Sequence, residues 1–260
     1  MPIIDPHFKN APQWNRLFSE DNYPCLPSSR DTIRSTGWTV CTKSKRGLVW
    51  ASSPLMRDLL IHLETSPDVV AVADYPEEIE YWTIATNGEP TVRRHTPALA
   101  VQMSCGTVAF IDVMTLEAQE RAHGVDRRTW DLADHYRRMG ACYLLLNETT
   151  IRKQPAFDNR RHMWALRKTR WQDPQIDLIG RQILDLSLPL SIAEIARRTG
   201  SCSGRAGAID PTGAVYSAVA QLAMAGFVEI NFGRRLSDRS VVRLCKSQAT
   251  TTDRHEPIAA

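Results

Sequence analysis

The sequence predicts two domains: an N-terminal α/β domain with a mixed sheet, and a C-terminal domain of three helices followed by a β-hairpin. The first prediction rests on helix-spaced apolar residues that alternate with short β-branched segments over residues 46–171. The second rests on three helical patterns that precede a strand, a basic turn and a strand over residues 172–246. Residues 1–45 are expected to form an irregular arm with at most one short helix, and residues 247–260 a disordered tail.

Local patterns predict the elements of the α/β domain. Apolar residues at 55, 59, 60 and 63 have the spacing of a helix with one buried face. The run VAFIDV at 108–113 is apolar and rich in strand-forming residues, which is typical of a central strand. In chain order we expect a helix over 55–64, strands over 69–76 and 81–86, an extended segment over 91–94, a hairpin over 95–115, a helix over 126–139, a strand over 142–146 and two basic helices over 149–171.

Capping residues mark the helices of the C-terminal domain. Asp173 is a candidate N-cap for the first helix, and Ser191 is one for a second helix that stops at Gly200. Pro211 is well suited to open the third helix. The segment GFVEINFGRRLSDRSVVRL at 226–244 then reads as strand, basic turn and strand. Three helices and a hairpin in this order predict a winged helix-turn-helix.

Composition places the chain among soluble globular proteins. Its 260 residues are 43% hydrophobic and 23% charged. The longest nearly apolar run, 214–228, is too short and too polar to span a bilayer, and the N-terminus shows no signal-peptide pattern. The six cysteines include no CxxC pair, which favours reduced thiols and a cytoplasmic, bacterial setting. We expect no cofactor, no metal site and no membrane partner.

Positive charge is concentrated in two stretches, although the net charge is only +3. Residues 151–171 carry seven Lys or Arg and one acid, and residues 227–246 carry a second basic group. Basic residues interleaved with aromatic ones are typical of a nucleic-acid-binding surface. A solvated helix face is the alternative for either stretch taken alone.

Several motifs of the first domain occur in a fixed order. The basic run at 43–46 precedes WASSPLMRDLLIHLETSPDVV and ADYPEEIEYW, and then HTPALAVQMSCGTVAFIDVMT and CYLLLNETTIRKQPAFDNRRHMWALRKTRW follow. In this order, residues 40–245 resemble the TnsA-like transposon endonucleases, a branch of the restriction-endonuclease-like, PD-(D/E)xK group. The resemblance implies a restriction-endonuclease-like fold, a winged helix beside it, and a transposase as a partner.

The chain departs from this family at the catalytic positions. The resemblance implies acidic ligands for two hard cations and a lysine that orients the attacking water. This chain has Met56 for the helix glutamate, Ala98 for the hairpin aspartate and Met114 for the lysine, and only Asp112 keeps a carboxylate. One carboxylate cannot hold two Mg²⁺ ions, and methionine sulfur is a soft ligand that Mg²⁺ avoids. We therefore expect a pseudo-nuclease without catalytic residues.

A relocated catalytic site is the alternative to complete loss. Asp58, Glu64 and Glu117 lie near the altered positions in sequence. Asp58 follows Met56 by two residues and should therefore face another side of the helix. Since no second cluster of ligands is evident, we favour the loss of catalysis.

The predicted DNA contacts come from three places. In a helix-turn-helix the second helix enters the major groove, and arginines of a basic turn can bind phosphates. The candidates are Ser203 and Arg205 in the turn, Ser217 and Gln221 on the third helix, Arg234, Arg235 and Arg239 in the hairpin, and Arg160, Arg161, Arg167, Lys168 and Arg170 in the preceding basic helix.

Three functions remain open at this point. The first is a non-catalytic protein that binds double-stranded DNA and acts as a transcriptional regulator or a mobile-element accessory factor. Its first domain would serve as a scaffold or would form a homodimer. The second is a divergent endonuclease subunit that nicks DNA together with a transposase. The third is an assembly factor or inhibitor that binds a transposase or regulator without DNA. The residues at 56, 98 and 114 disfavour the second function but do not separate the first from the third.

Overall fold

A computed structural model describes residues 12–26, 37–85, 87–168, 174–200 and 211–245 of the chain. The chain divides into two compact units, Met1–Lys153 and Gln154–Ala260. The basic residues 160–168, which the sequence grouped with the α/β domain, therefore belong to the second unit. Each unit has its own core.

The first unit is an α/β fold built on a mixed four-stranded sheet. Its strand order is β3-β6-β7-β8, in which the first three strands are antiparallel and β8 runs parallel to β7. The crossover from β7 to β8 passes through α3. The strands and helices of this central part are β3 (Val69–Asp74), β6 (Leu99–Met103), β7 (Val108–Val113), β8 (Cys142–Leu146), α1 (Pro54–Thr65) and α3 (Val125–Arg138).

Alternation along β7 separates two cores. Ala109 and Ile111 pack with α1, whereas Val108 and Phe110 pack with α3. Because successive strand residues point to opposite faces, Asp112 shares the α3 face. Two residues determine where α1 begins. The Ser53 hydroxyl accepts a hydrogen bond from Met56 N at 3.1 Å and caps the helix, and Pro54 is its first residue.

Smaller elements complete the first unit. Trp14 on a 3-10 helix is 1% exposed and contacts Phe110 with ring centroids 4.9 Å apart. This short helix lies within the segment expected to form the irregular arm, and it supplies part of the core. The remaining elements are the 3-10 helix (Pro12–Phe18), the paired strands β1 (Gly37–Val40) and β2 (Leu48–Ala51), the paired strands β4 (Ile79–Ile84) and β5 (Pro90–His95), α2 (Leu116–Arg121) and α4 (Glu148–Ile151).

The second unit has four helices and a three-stranded antiparallel sheet in its described part. The strand order is β10-β11-β9, so the short strand before α7 pairs with the last strand of the chain. Apolar side chains from α6, α7 and α8 form the core with Val228 and Val242. The elements are α5 (Ala156–Ala165), α6 (Pro174–Leu184), β9 (Leu190–Ser191), α7 (Ile192–Arg198), α8 (Pro211–Met224), β10 (Val228–Ile230) and β11 (Val241–Leu244).

The structure also addresses two further predictions, that no segment spans a membrane and that the cysteines are reduced. Among the described residues, no helix has the length and apolar character needed to cross a membrane. Five cysteines lie in the described ranges, and all five are free thiols: Cys25, Cys41, Cys105, Cys142 and Cys245.

Candidate functional site

Asp112 is the centre of a buried polar cluster in the first unit. Its Oδ1 accepts a hydrogen bond from the backbone N of Ala98 at 3.0 Å, and its Oδ2 accepts one from the Tyr143 hydroxyl at 2.6 Å. Nη2 of Arg128 donates to Oδ2 at 3.3 Å. Nε2 of His95 lies 3.1 Å from Oδ2, outside good hydrogen-bond alignment, and forms an ion pair when the ring is protonated. We call these residues the Asp112 cluster.

The surroundings of Asp112 favour its charged form. Burial alone would raise its pKa, but the adjacent His95 and the hydrogen bonds from Tyr143 and Ala98 outweigh burial and hold the pKa below the ordinary value. Burial and the negative charge of Asp112 raise the pKa of the Tyr143 hydroxyl, which stays protonated and donates. The carboxylate is therefore a charged acceptor whose two oxygens are both occupied.

The other three positions of the predicted nuclease site carry no ligand for a hard cation. Met56 is 0% exposed and packs in the α1-side core, with its Sδ 3.4 Å from the backbone N of Ser52. Ala98 packs against the same core, while its backbone N–H faces Asp112. Met114 is half-buried, and its backbone N donates to Leu146 O at 3.0 Å. Asp112 and Met56 thus contribute to opposite faces of the sheet.

Nearby acids are engaged elsewhere. Asp58 accepts a hydrogen bond from Arg152 Nε at 2.6 Å, and Glu117 pairs with Arg121 at 2.5 Å. Glu64 is buried and accepts from the backbone N of Thr42 at 2.9 Å. Within the described ranges, no three His, Cys, Asp or Glu side chains are grouped so that they could hold a metal ion.

The second unit carries a basic concavity on the hairpin β10–β11. We call this hairpin, with its connecting residues 231–240, the arginine hairpin. The concavity has a volume of about 490 Å³. In the part of the chain that the structure describes, none of the arginines that line it forms an ion pair with an acid. Its lining consists of Asn231, Arg234, Arg235, Ser237, Arg239, Ser240, Val241 and Arg243.

The basic residues of α5 and the segment after it have intramolecular contacts. The Arg160 guanidinium lies 4.8 Å from the Phe232 ring centroid, and that of Arg161 lies 5.8 Å from the Phe157 ring. Arg167 stacks on Trp164 at 3.9 Å, and Lys168 pairs with Asp177 at 3.0 Å. Their side chains thus contribute to packing as well as to positive charge.

The two predicted DNA contacts on α8, Ser217 and Gln221, form hydrogen bonds within the second unit. The Ser217 hydroxyl donates to Gly213 O at 2.9 Å, within its own helix. Gln221 is half-buried, and its Nε2 donates to Leu166 O at 3.1 Å. Three further candidates lie outside the described residues: Arg170, Ser203 and Arg205.

Sequence reasoning missed the partners of Asp112. It counted Arg243 in the basic stretch 227–246 but did not nominate it as a DNA contact. Tyr143 could have been found from the parallel pairing of β7 with β8, which puts it in register with Phe110 and on the Asp112 face. His95 and Arg128 lie on other elements, and no local pattern links them to Asp112. Arg243 alternates with buried Val242 on β11, which is a usable signal for an exposed side chain.

The functional class must be inferred from these two sites. No family model matches the chain, and no curated protein matches it. The two sites are a buried carboxylate whose oxygens both accept hydrogen bonds and an exposed concavity lined by four arginines. The first is typical of a structural cluster and the second of an anion-binding surface.

Proposed function

We propose that this protein is a non-catalytic DNA-binding protein whose arginine hairpin contacts the phosphates of double-stranded DNA. The observation that carries this proposal is the convergence of Arg234, Arg235, Arg239 and Arg243 on one concavity. All four side chains are exposed, and among the described residues none of the four forms an ion pair, although Glu229 stands opposite Arg243 in the β10–β11 pair. Guanidinium groups form paired, charge-assisted hydrogen bonds with phosphate, and duplex DNA presents a dense array of phosphates.

The topology of the second unit supports a winged helix-turn-helix. The chain order is α6, β9, α7, α8 and then the hairpin β10–β11, and β9 adds to that hairpin. In this interpretation the hairpin is the wing and α8 is the recognition helix. The internal hydrogen bonds of Ser217 and Gln221 indicate that base contacts come from other residues of the helix or the turn before it.

The first unit supports the non-catalytic part of the proposal. Its order of helix, antiparallel strands, helix and parallel strand agrees with the restriction-endonuclease-like layout inferred from the motifs. The one retained carboxylate accepts hydrogen bonds from Arg128, Tyr143 and the Ala98 backbone, so a cation would compete with these groups for its oxygens. We therefore assign this unit a scaffolding or dimerisation role in a regulator or mobile-element accessory factor.

The arginine hairpin can be tested directly by salt-dependent DNA binding. Fluorescence anisotropy of a labelled duplex should show affinity that falls with salt. Arg234→Ala/Arg235→Ala should flatten the log–log slope by about 1.8, because each phosphate that is no longer neutralised removes about 0.9. A matched control is Arg137→Ala/Arg138→Ala, which removes two arginines that pair with Asp134 on α3. Equal effects of the two double variants would contradict a specific role for the hairpin.

A further inference from the structure

We propose that Asn159 is a positioning residue that holds the arginine hairpin in its DNA-binding shape. Asn159 lies on α5 and is 3% exposed, and its side-chain amide is hydrogen-bonded to the backbone of the hairpin. The inference rests on the proposed function, because it assigns a role within the same DNA-binding surface. It adds a residue that does not touch the DNA itself.

The amide of Asn159 bridges the hairpin loop at three points. Its Nδ2 donates to Phe232 O at 3.1 Å and to Arg234 O at 2.7 Å. Its Oδ1 accepts from Leu236 N at 2.9 Å. Both amide protons and the carbonyl oxygen are thus used, and the contacts flank Arg234 and Arg235 along the chain. One side chain thus contacts the backbone on both sides of these two arginines.

The other half of the loop is held by a different element. Ala193 N on α7 donates to Asp238 O at 2.9 Å, and Ile192 N donates to Ser240 O at 3.0 Å. The segment 232–236 is instead clamped from α5, by the Asn159 amide and by the Arg160 guanidinium over the Phe232 ring. Loss of the Asn159 hydrogen bonds should free the Arg234–Arg235 end while leaving the end held by α7.

Asparagine is the residue type that this geometry requires. A carboxylate of the same size accepts from Leu236 N but cannot donate to two carbonyls. Asn159→Asp would leave two carbonyl oxygens facing a negative charge, and Asn159→Ala would remove the side-chain partner of all three loop groups. Both variants keep every arginine, so any loss of DNA affinity comes from position and not from a missing cationic side chain.

The first readout needs no DNA. Limited trypsin digestion of the full chain should cut after Arg234 and Arg235 about tenfold faster in Asn159→Asp, because loss of buried hydrogen bonds makes local opening more frequent. Ile183→Ala is the control, since Ile183 is fully buried in the core of the same unit and is not one of the groups that clamp the loop. It should lower the melting temperature without faster cleavage at these two arginines.

The second readout is DNA binding at a temperature where every variant is folded. Asn159→Asp and Asn159→Ala should weaken duplex binding several-fold and flatten its salt slope, whereas Ile183→Ala should not. In the Arg234→Ala/Arg235→Ala background, Asn159→Asp should cause little further loss, because the side chains that it positions are already gone.

Different failures point to different causes. Unchanged trypsin cleavage in both Asn159 variants would overturn the positioning role. Faster cleavage with wild-type DNA affinity would also overturn it, provided that Arg234→Ala/Arg235→Ala still weakens binding. If the wild-type chain shows no salt-sensitive binding at all, the proposed function fails, and the role in DNA binding fails with it.

Discussion

The charge on Asp112 depends on groups from four separate parts of the first unit. His95 ends β5, Ala98 precedes β6, Arg128 lies on α3 and Tyr143 lies on β8. A buried charge is costly unless it is paired and hydrogen-bonded, so the carboxylate and its partners are stable only together.

Replacing the carboxylate separates the structural and catalytic interpretations. Asp112→Asn keeps the size of the side chain but leaves Arg128 without its counter-charge. We expect the free energy of unfolding to fall by about 2 kcal/mol, less than for a fully buried pair, because the Arg128 side chain is 37% exposed. Urea unfolding followed by fluorescence measures this value. Catalytic carboxylates commonly reduce stability, so an unchanged or more stable variant would indicate a functional rather than a structural Asp112. Asp134→Asn, in an exposed pair, serves as the control and should have a much smaller effect.

The lowered pKa of Asp112 predicts a pH dependence with a defined sign. The folded pKa lies below that of the unfolded chain, so the folded state binds fewer protons near that pH and stability falls as the solution becomes more acidic. The stabilisation is complete above about pH 4 and is lost as the pH falls through the folded pKa. The difference in unfolding free energy between wild type and Asp112→Asn should therefore shrink as the pH falls below about pH 4. A difference that keeps growing as the pH falls below about pH 4 would contradict the pKa direction.

The sequence revealed Asp112 but not the surroundings that explain it. The hairpin motif directed attention to positions 98, 112 and 114, and the structure places Ala98 and Asp112 in contact. The contacts to His95 and Arg128 form only when strands and a helix distant in sequence come together. Such contacts depend on tertiary packing, which has no period along the chain.

Among the helices and strands, those with strong sequence patterns were predicted well. α1 at Pro54–Thr65 contains the predicted helix, and β7 and β8 have the predicted bounds. Short or exposed strands were missed. β1 and β2 lie near Ser and Thr residues with weak alternation, and the two-residue β9 exists because it pairs with β11. Short strands are stabilised by their partners, and the partner cannot be read from the strand itself.

The cap of α7 can be tested on its own. Ser191 ends β9 and caps α7 through a hydrogen bond from Glu194 N to its hydroxyl at 3.2 Å. Ser191→Ala should therefore lower the free energy of unfolding by about 1 kcal/mol. Ser217→Ala is the matched control, because that hydroxyl bonds within its own helix, and its effect should stay within about 0.5 kcal/mol. Chemical denaturation of both variants tests the cap, and equal effects would count against it.

The chain as a whole consists of two compact units with separate cores. The arginine hairpin and its Asn159 clamp both lie in the second unit. The sequence had assigned the basic helix to the first domain because its motif continued that of the preceding strand. Contacts between α5 and the hairpin instead group it with the second unit, and the sequence does not carry this information.

The division predicts that DNA binding belongs to one unit. A fragment of residues 154–260 should fold and bind duplex DNA with nearly the salt slope of the full chain, and a fragment of residues 1–153 should not bind with such a slope. Circular dichroism checks folding, and anisotropy checks binding. Salt-sensitive binding by the first fragment alone would place the DNA surface in the α/β unit and contradict this division of roles.

The central claim, that the protein binds DNA without cleaving it, is tested most simply by incubating the full chain with supercoiled plasmid, with and without Mg²⁺. One set of lanes reports retardation across a salt series, and a second set, stripped of protein, reports nicking. We predict salt-sensitive retardation and no nicking under either condition. Mg²⁺-dependent nicking that disappears in Asp112→Ala would contradict the proposed function and support an endonuclease subunit. Absence of retardation at low salt would contradict the DNA-binding part of the proposed function and support an assembly factor that binds protein alone.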